Sequence, residues 1–292
     1  MGMKHHYSLR KIAAALSCIF IASVTFAGTS LTANAAATSI TRISGNTRYE
    51  TMGMVSRAAF LSAPPSKAAV VASGTDFPDA LAASSLAGHL NAPILLTDPK
   101  SLSNETANEL NRLDANAIFV IGGNKAVSHN VENEIRATHP SATITRLTGS
   151  TRFDTAHSIY NELATLGAKP QTAIISTGFN FADALSISPY SYMQSAPFFL
   201  SSQSGLDEAS LNTLRNFQTA IIVGGEQAVP TSVEQQLKSI GVSTVRIQGT
   251  TRYETSLEIG KFTLNNLSLD PSSVVYATGA NFPDALSGSA LA

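Results

Sequence analysis

An internal repeat is the feature that most constrains this chain, because a sequence copied along its own length must fold as several similar units. A pattern of ten residues, Arg-x-x-Gly-x-Thr-Arg-(Tyr/Phe)-(Glu/Asp)-Thr, occurs at 42–51, 146–155 and 246–255. A second pattern, Gly-x-x-Phe-(Pro/Ala)-Asp-Ala-Leu, follows each copy, at 74–81, 178–185 and 279–286. Two motifs that stay in register three times indicate tandem copies of one structural unit of about 100 residues.

Two further blocks occur only twice. Ala-Pro followed by three apolar residues lies at 92–96 and 196–200, and the pattern (Ile/Val)-Gly-Gly-x-x-Ala-Val lies at 121–127 and 223–229. The third copy stops before either block. We therefore predict repeats at 36–141 and 142–241, followed by a truncated third repeat at 242–292.

Each repeat alternates short apolar runs with helical stretches. The runs at 69–72, 94–97 and 117–121 are apolar throughout, which is typical of strands buried on both faces of a parallel sheet. Segments with apolar residues three and four positions apart lie between them, at 49–60, 78–90, 104–113 and 130–137. This alternation predicts doubly wound, Rossmann-like α/β repeats with parallel sheets. A sheet cut short in the third repeat would leave an unpaired strand edge and exposed apolar faces.

The N-terminus has the three parts of a secretory signal peptide. Three basic residues precede an apolar run at 12–26, and the small-x-small pattern of a cleavage site follows at 33–35. The run is shorter than the roughly 20 residues of a membrane span, which disfavours a membrane anchor. We predict a signal peptide at 1–35 and an exported chain.

Composition removes several classes of function. Cys18, the one cysteine, lies inside the signal run, so the mature chain has no disulfide, cysteine nucleophile or thiolate metal site, and no lipid attachment is predicted. Cleavage after Ala35 leaves 16 basic and 20 acidic residues, a net charge of -4, which gives no global attraction to nucleic acid.

No second apolar run of about 18 residues follows, so no membrane span is expected after cleavage. We predict no metal and no cofactor, and any anionic partner must be held by local clusters.

The arginines of the first motif are such a cluster. Six basic residues occupy two equivalent positions in each repeat: Arg42, Arg48, Arg146, Arg152, Arg246 and Arg252. Guanidinium groups bind carboxylate and phosphate oxygens bidentately, so these arginines are candidates for gripping an anionic polymer. The alternative is an ion pair within or between repeats, because an acidic residue follows each second arginine by two positions, at Glu50, Asp154 and Glu254.

The second motif places an aspartate in the first turn of a helix, at Asp79, Asp183 and Asp284. Such a carboxylate caps the helix, or docks onto an arginine of the neighbouring repeat. The double glycines at 122–123 and 224–225 either present backbone N–H groups to an anion or make a tight turn. Their spacing is not GxGxxG, which favours the turn.

Nothing in the repeat predicts catalysis. No histidine keeps the repeat register, and neither HExxH nor GxSxG is present. A binding module is therefore predicted rather than an enzyme. The alternative is a secreted hydrolase whose catalytic region is non-repeated or missing.

Together, the four blocks resemble the cell-wall-binding repeat 2 family of Gram-positive surface proteins, over essentially the whole mature chain. The resemblance implies tandem Rossmann-like domains packed with pseudo-threefold symmetry, a packing that a truncated third repeat would not complete. It also implies a secreted protein held non-covalently at the cell wall and cell surface by an anionic polysaccharide or teichoic-acid-like polymer. By the same resemblance, the six arginines bind the polymer or join the domains, with Asp79, Asp183 and Asp284 as their partners at the domain interfaces.

Overall fold

The first sheet contains four parallel strands that alternate with helices along the chain. The computed structural model describes residues 39–269 and 274–291, so the predicted signal peptide at 1–35 lies outside the described residues. The strands are β1 (Ala68–Ser73), β2 (Ile94–Thr97), β3 (Ala117–Ile121) and β4 (Thr143–Leu147). Their order in space is β2-β1-β3-β4, which confirms a parallel α/β repeat.

The helices of the first repeat are α1 (Arg48–Ala59), α2 (Pro78–Ala82), α3 (Ser84–His89), α4 (Asn104–Arg112) and α5 (His129–Thr138). The single helix predicted over 78–90 is interrupted at Ala83, where ψ is -9°. Pro78 occupies the first turn of α2, where its missing N–H leaves no hydrogen bond unmade.

Strand β4 was not among the strands predicted from apolar runs. It lies at the edge of the sheet beside β3, where four of its five residues are exposed or partly exposed, and its sequence Thr-Ile-Thr-Arg-Leu contains no continuous apolar run. The strand also follows the predicted repeat boundary at 141–142 yet belongs to the first sheet. The first motif therefore spans two repeats, since Arg146 ends one sheet and Arg152 begins the next helix.

The second repeat has the same plan. Its strands are β5 (Thr172–Thr177), β6 (Phe198–Ser201), β7 (Thr219–Val223) and β8 (Ser243–Ile247), in the order β6-β5-β7-β8. Its helices are α6 (Arg152–Thr165), α7 (Ala182–Gln194), α8 (Glu208–Leu214) and α9 (Thr231–Ser239). Adjacent residues of β5 face different cores, with Ile174 in one and Ile175 in the other. Both faces of this sheet are thus covered, as the apolar runs indicate.

The third repeat contributes helices but no strand within its described residues. It contains α10 (Arg252–Leu267), α11 (Pro283–Leu286) and a short 3-10 helix at Gly288–Ala290. The segment at 274–278 corresponds in register to β1, yet Val274, Val275 and Tyr276 are 63%, 45% and 91% exposed. The expectation of half a sheet with a free edge is therefore wrong, because a central parallel strand needs partners to hold its backbone and none lies among the described residues. The exposed apolar side chains that were expected are present.

The three repeats meet around one aromatic cluster. Phe77, Phe181 and Phe282, one from each repeat, have ring centroids 5.8, 5.7 and 5.7 Å apart. We call these residues the central aromatic cluster. Around it α2 packs on α6, α7 on α10 and α11 on α1, so the repeats close into a ring. The expectation that the threefold packing stays incomplete is corrected here: the helices of the third repeat complete the ring although its sheet does not form.

Candidate functional site

The repeat motifs come together at the carboxyl end of each sheet. In the order β2-β1-β3-β4, the chain leaves β1 and β3 in opposite directions, which makes a topological switch point between these strands. The loop after β1 carries the second motif from Gly74, and the loop after β3 carries Gly122 and Gly123. The second sheet has equivalent loops after β5 and β7. Ligands of open α/β sheets bind in such crevices, so this edge is the candidate site.

The first arginine of the motif is a structural residue in both sheets. Arg146 lies on β4 and donates to the carbonyls of Gly122 (2.7 Å) and Val127 (2.9 Å) and to the Glu132 carboxylate (2.8 Å from Nη2). The corresponding partners of Arg246, on β8, are the Gly224 and Val229 carbonyls and the Glu234 carboxylate. Each arginine thus ties the double-glycine loop and the following helix to the sheet edge. Arg42 is exposed and forms no ion pair or side-chain hydrogen bond within the described residues.

Sequence reasoning missed Glu132 and Glu234, the acidic partners of these arginines. Burial raises the pKa of Glu132, but hydrogen bonds and charges from Arg136 and Arg146 outweigh this effect and hold its pKa below the ordinary value. A signal existed in the sequence, because both glutamates lie ten residues after the first glycine of their pair.

The second arginine has the same contact in all three repeats. Each donates from Nη1 to the carbonyl of the glycine that begins the second motif. The distances are 2.5 Å from Arg48 to Gly74, 2.5 Å from Arg152 to Gly178 and 2.6 Å from Arg252 to Gly279. The next residue in the chain packs its ring on the same glycine: a methyl group on Gly74 would lie 2.6 Å from the Tyr49 ring. These contacts explain why the two motifs keep register. Within the described ranges, the three guanidinium groups make no other hydrogen bond.

The acidic residues that follow these arginines cap helices instead of pairing with them. Oxygens of Glu50, Asp154 and Glu254 accept from backbone N–H groups at Asn46 (2.7 Å), Thr151 (2.9 Å) and Thr250 (2.7 Å). A threonine hydroxyl caps the same helices from the other direction, which forms complete capping boxes on α6 and α10. Within the described residues none of these three carboxylates forms an ion pair, so the structure does not support the ion-pair alternative.

The repeated aspartates lie in the switch-point crevices. Asp79 does not cap α2, since Phe77 is the N-cap residue and provides no side-chain bond. Burial raises the pKa of the Asp79 carboxyl to about 6; the Asp76 carboxylate adds to the rise, while the Arg152 guanidinium and the Thr155 hydroxyl oppose it. Arg152 and Thr155 both belong to the next repeat.

Asp183 repeats this environment in the second crevice. Burial raises the pKa of its carboxyl, against the Thr255 hydroxyl and the Arg252 guanidinium. Asp284 lies at the third equivalent position but is exposed. Together with Arg48 and Thr51 it lines a shallow groove of about 230 Å³.

Three interfaces follow from these contacts. At the first interface the charge of Arg152 in repeat 2 acts on Asp79 of repeat 1, and at the second the charge of Arg252 acts on Asp183, without a direct ion pair among the described residues. At the third interface Asp284 lines the same groove as Arg48. The structure thus brings three predicted arginines and all three predicted aspartates together at the interfaces between repeats. It places Arg42, Arg146 and Arg246 elsewhere.

The double glycines form tight turns, as the spacing favours. Gly122 and Gly224 have φ of +95° and +103°. A methyl group at these positions would also lie 2.4 Å from Asp79 and 2.6 Å from Asp183. Two reasons therefore require the first glycine: the left-handed backbone and the aspartate packed against it.

A metal site and a membrane-spanning helix were also sought in the part of the chain that the structure describes. It contains no group of three or more His, Cys, Asp or Glu side chains arranged to hold a metal ion. Over the same ranges, every helix is too short or too polar to cross a membrane.

Two α/β repeats and a third, helical repeat, with each crevice bordered by the following repeat, define a repeat-built binding module. The chain matches the model of the family described as cell wall binding domain 2 (CWB2) at 42–132, 146–234 and 246–292. It belongs to this family, as the sequence motifs predict.

Relatives of the chain include two proteins of Bacillus subtilis (strain 168). The chain is 30% identical to the N-acetylmuramoyl-L-alanine amidase LytC over 97% of its own length and 53% of that protein. It is 32% identical to a protein named amidase enhancer, over 86% of the chain and 33% of that protein. The chain therefore spans about half or less of the length of these relatives.

Solved structures share the fold. Cwp8 from Clostridium difficile aligns with a TM-score of 0.73 and 28% identity, over 85% of this chain and 42% of that one. Cwp6 from the same organism aligns with a TM-score of 0.74 and 23% identity, over 85% and 39%.

Proposed function

We propose that this chain is exported and attaches non-covalently to the Gram-positive cell wall by binding an anionic secondary wall polymer at the three interfaces between repeats. Membership of a cell wall binding family supports the location. The observation that carries the choice of an anionic polymer is the set Arg48, Arg152 and Arg252. Each of these guanidinium groups uses one nitrogen on a glycine carbonyl, and its other N–H groups have no acceptor among the described residues.

The pattern of these three arginines suits a repeating ligand. One guanidinium per repeat, placed around a closed ring, offers several weak contacts to a polymer with regularly spaced charges, and linked contacts raise the overall affinity. Arg146 and Arg246 are unsuited to this role, because most of their donors are bonded inside the fold and the remaining Nη2 of Arg246 is itself buried.

Sedimentation with purified bacterial cell walls tests the proposal. We expect the mature chain to pellet with intact walls and to stay in solution with walls from which acid has removed phosphate-linked polymers. Pelleting should weaken as salt is added, because salt screens exposed charges. Equal pelleting with both wall preparations would point to peptidoglycan and overturn the proposal.

A triple variant isolates the arginines. Arg48→Gln, Arg152→Gln and Arg252→Gln together should abolish pelleting and its salt dependence. The matched control replaces three exposed cations whose side chains form no hydrogen bond or ion pair in the described ranges: Lys125, Lys169 and Arg215, each to Gln. Both variants lose three positive charges, so only a specific role of the interface arginines separates them. Equal weakening by both would reduce the effect to net charge.

Export has a separate test. A signal peptide at 1–35 predicts that the protein recovered from the wall fraction begins at Ala36. N-terminal sequencing of that protein measures this directly. An N-terminus before residue 12 would show that the apolar run is retained.

A further inference from the structure

We propose that the first interface is a subsite for an anionic sugar ring, with Phe179 stacking on the ring and Arg152 binding its charge. This inference rests on the proposed function and narrows the ligand from any anionic wall polymer to a polysaccharide. It starts from an asymmetry in an otherwise repeated loop. Directly after the glycine that begins the second motif, repeat 2 has Phe179, whereas repeats 1 and 3 have Thr75 and Ala280.

Phe179 is displayed to solvent. Its side chain is 62% exposed, and it is the only exposed phenylalanine in the described ranges. Exposed apolar residues are common singly, but this ring lies beside a predicted ligand-binding group. The Arg152 guanidinium carbon is 5.8 Å from the Phe179 ring centroid, and the Phe153 ring meets Phe179 edge-on at 6.2 Å.

Of the three interface arginines, Arg152 also has the most aromatic rings around it. Its guanidinium carbon is 6.0 Å from the Phe77 centroid on the side of repeat 1, in addition to its contact with Phe179. Arg252 has one such contact, with Phe181 at 5.6 Å. Arg48 has none in the described ranges. Aromatic faces attract and orient a guanidinium, so the charge at the first interface is held in a more defined position.

A ligand that fits Phe179 and Arg152 together has an apolar face next to a negative charge. An aromatic face packs well against the C–H face of a sugar ring, and the adjacent cation pairs with a carboxylate or phosphate substituent on it. A polyol phosphate chain has the charge but no ring face for Phe179. The asymmetry therefore favours a charged polysaccharide over a teichoic-acid-like chain.

The loop backbone allows the residue to be transplanted. The N–H of Phe179, Thr75 and Ala280 donates to the hydroxyl two residues earlier in every repeat, at 3.3, 3.2 and 3.2 Å. Phe179→Thr thus converts the loop to the sequence found at this position in repeat 1. Thr75→Phe builds the aromatic beside Arg48 at the third interface.

Wall sedimentation measures the contribution of the ring. We expect Phe179→Thr to weaken wall binding by about five- to ten-fold, as for loss of one aromatic contact. Thr75→Phe in that background should restore part of the loss. Leu61→Thr, which removes an exposed apolar side chain outside the interfaces, should leave binding unchanged. Unchanged binding by Phe179→Thr, with normal binding by wild type, overturns the subsite and leaves the wall-binding proposal standing.

Fluorescence separates ring stacking from charge. The chain has no tryptophan, so Phe179→Trp introduces a single reporter at the subsite, and Leu61→Trp is its control. Acid-released anionic wall polymer should shift the emission of the first variant and not of the second. Inorganic polyphosphate, a polyanion without sugar rings, should leave both emissions unchanged. An equal response to both polyanions, or a response to neither while the chain still binds walls, overturns the sugar-ring subsite. Absence of wall binding by wild type overturns the proposed function and the subsite together.

Discussion

At the residue scale, two arginines of one motif have different tasks. Arg146 lies inside the fold, where two carbonyls and a carboxylate use its donors. Arg152, six residues later, faces the next crevice with one donor engaged. Sequence spacing alone does not distinguish the two arginines, because it records residue type and not the acceptors that surround each guanidinium.

The internal role of Arg146 predicts a loss of stability. Arg146→Met keeps the apolar stem but leaves the Gly122 and Val127 carbonyls without this donor, so we expect the free energy of unfolding to fall by about 2–4 kcal/mol. Arg136→Met is the matched control, because Arg136 pairs with the same Glu132 carboxylate at 2.7 Å but is exposed. It should cost less than about 1 kcal/mol in denaturant titrations. Equal losses would show that Arg146 is not a structural residue.

The environment of Asp79 predicts a pH dependence. Burial raises the pKa of this carboxyl from 3.8 to about 6, so the folded chain binds the proton more tightly than the unfolded chain. The contribution of Asp79 to stability therefore falls as pH rises from about 4 to 6, and the deficit persists above that range. Asp79→Asn removes the ionisation and should raise the free energy of unfolding by about 1–3 kcal/mol near pH 7, with little change near pH 4.

Denaturant titrations at several pH values check this result. Asp284→Asn, at the exposed equivalent position, is the control and should change the free energy of unfolding by less than about 0.5 kcal/mol at each pH. A parallel pH dependence of wild type and Asp79→Asn would contradict the assignment.

At the element scale, loops and helix ends form the site while the strands hold them in place. The central strands β1, β3, β5 and β7 are largely apolar, and no strand carries an interface arginine or aspartate. The loop after β1 meets the loop after β3 because parallel strands end at the same sheet edge. The N-terminus of α6, capped by Thr151 and Asp154, then brings Arg152 to that edge from the next repeat.

The turn after β3 predicts a large difference between adjacent glycines. Gly122→Ala places a methyl group 2.4 Å from Asp79 at φ +95°, so we expect a loss of about 2–4 kcal/mol in the free energy of unfolding. Gly123→Ala is the control, because its methyl group would meet only the Thr148 hydroxyl, at 3.3 Å. Thermal or denaturant unfolding measures both. Similar values for the two variants would show that the turn tolerates side chains at either position.

At the scale of the whole molecule, the three repeats share one centre. The largest core runs from the first repeat to Ile259 and Leu286 of the third, and the central aromatic cluster joins all three. The helices of the third repeat can dock without their sheet because α10 packs on α7 and α11 on α1. Val274 and Tyr276, in the segment that corresponds in register to β1, are exposed and form no strand.

The shared centre predicts energetic coupling between repeats. In a double-mutant cycle, Phe77→Leu and Phe181→Leu should interact by about 0.5–1.5 kcal/mol, because their rings pack on each other. Phe77→Leu with Phe217→Leu is the control pair, since Phe217 lies in the separate core on the other face of the second sheet. Those two effects should add within about 0.5 kcal/mol. Additivity in both cycles would mean that the repeats are energetically independent.

The sequence by itself determined the repeat, the fold class and most element positions. These properties are local or periodic: β2 and β3 match their apolar runs at 94–97 and 117–121, and the family follows from motifs read in order. The sequence did not predict edge strand β4, because a partly exposed strand lacks a continuous apolar run. It did not predict the role of Glu132, because the arginine that Glu132 pairs with lies on another element.

Only the tertiary structure decided which arginines have their donors bonded inside the fold. Arg146 and Arg152 differ through acceptors distant in sequence, and the arginine whose charge acts on Asp79 belongs to the next repeat. The packing of helices also decided that the third repeat closes the ring without a strand. Side-chain contacts across a sheet edge and between repeats depend on how whole elements pack. A one-dimensional pattern does not contain those distances.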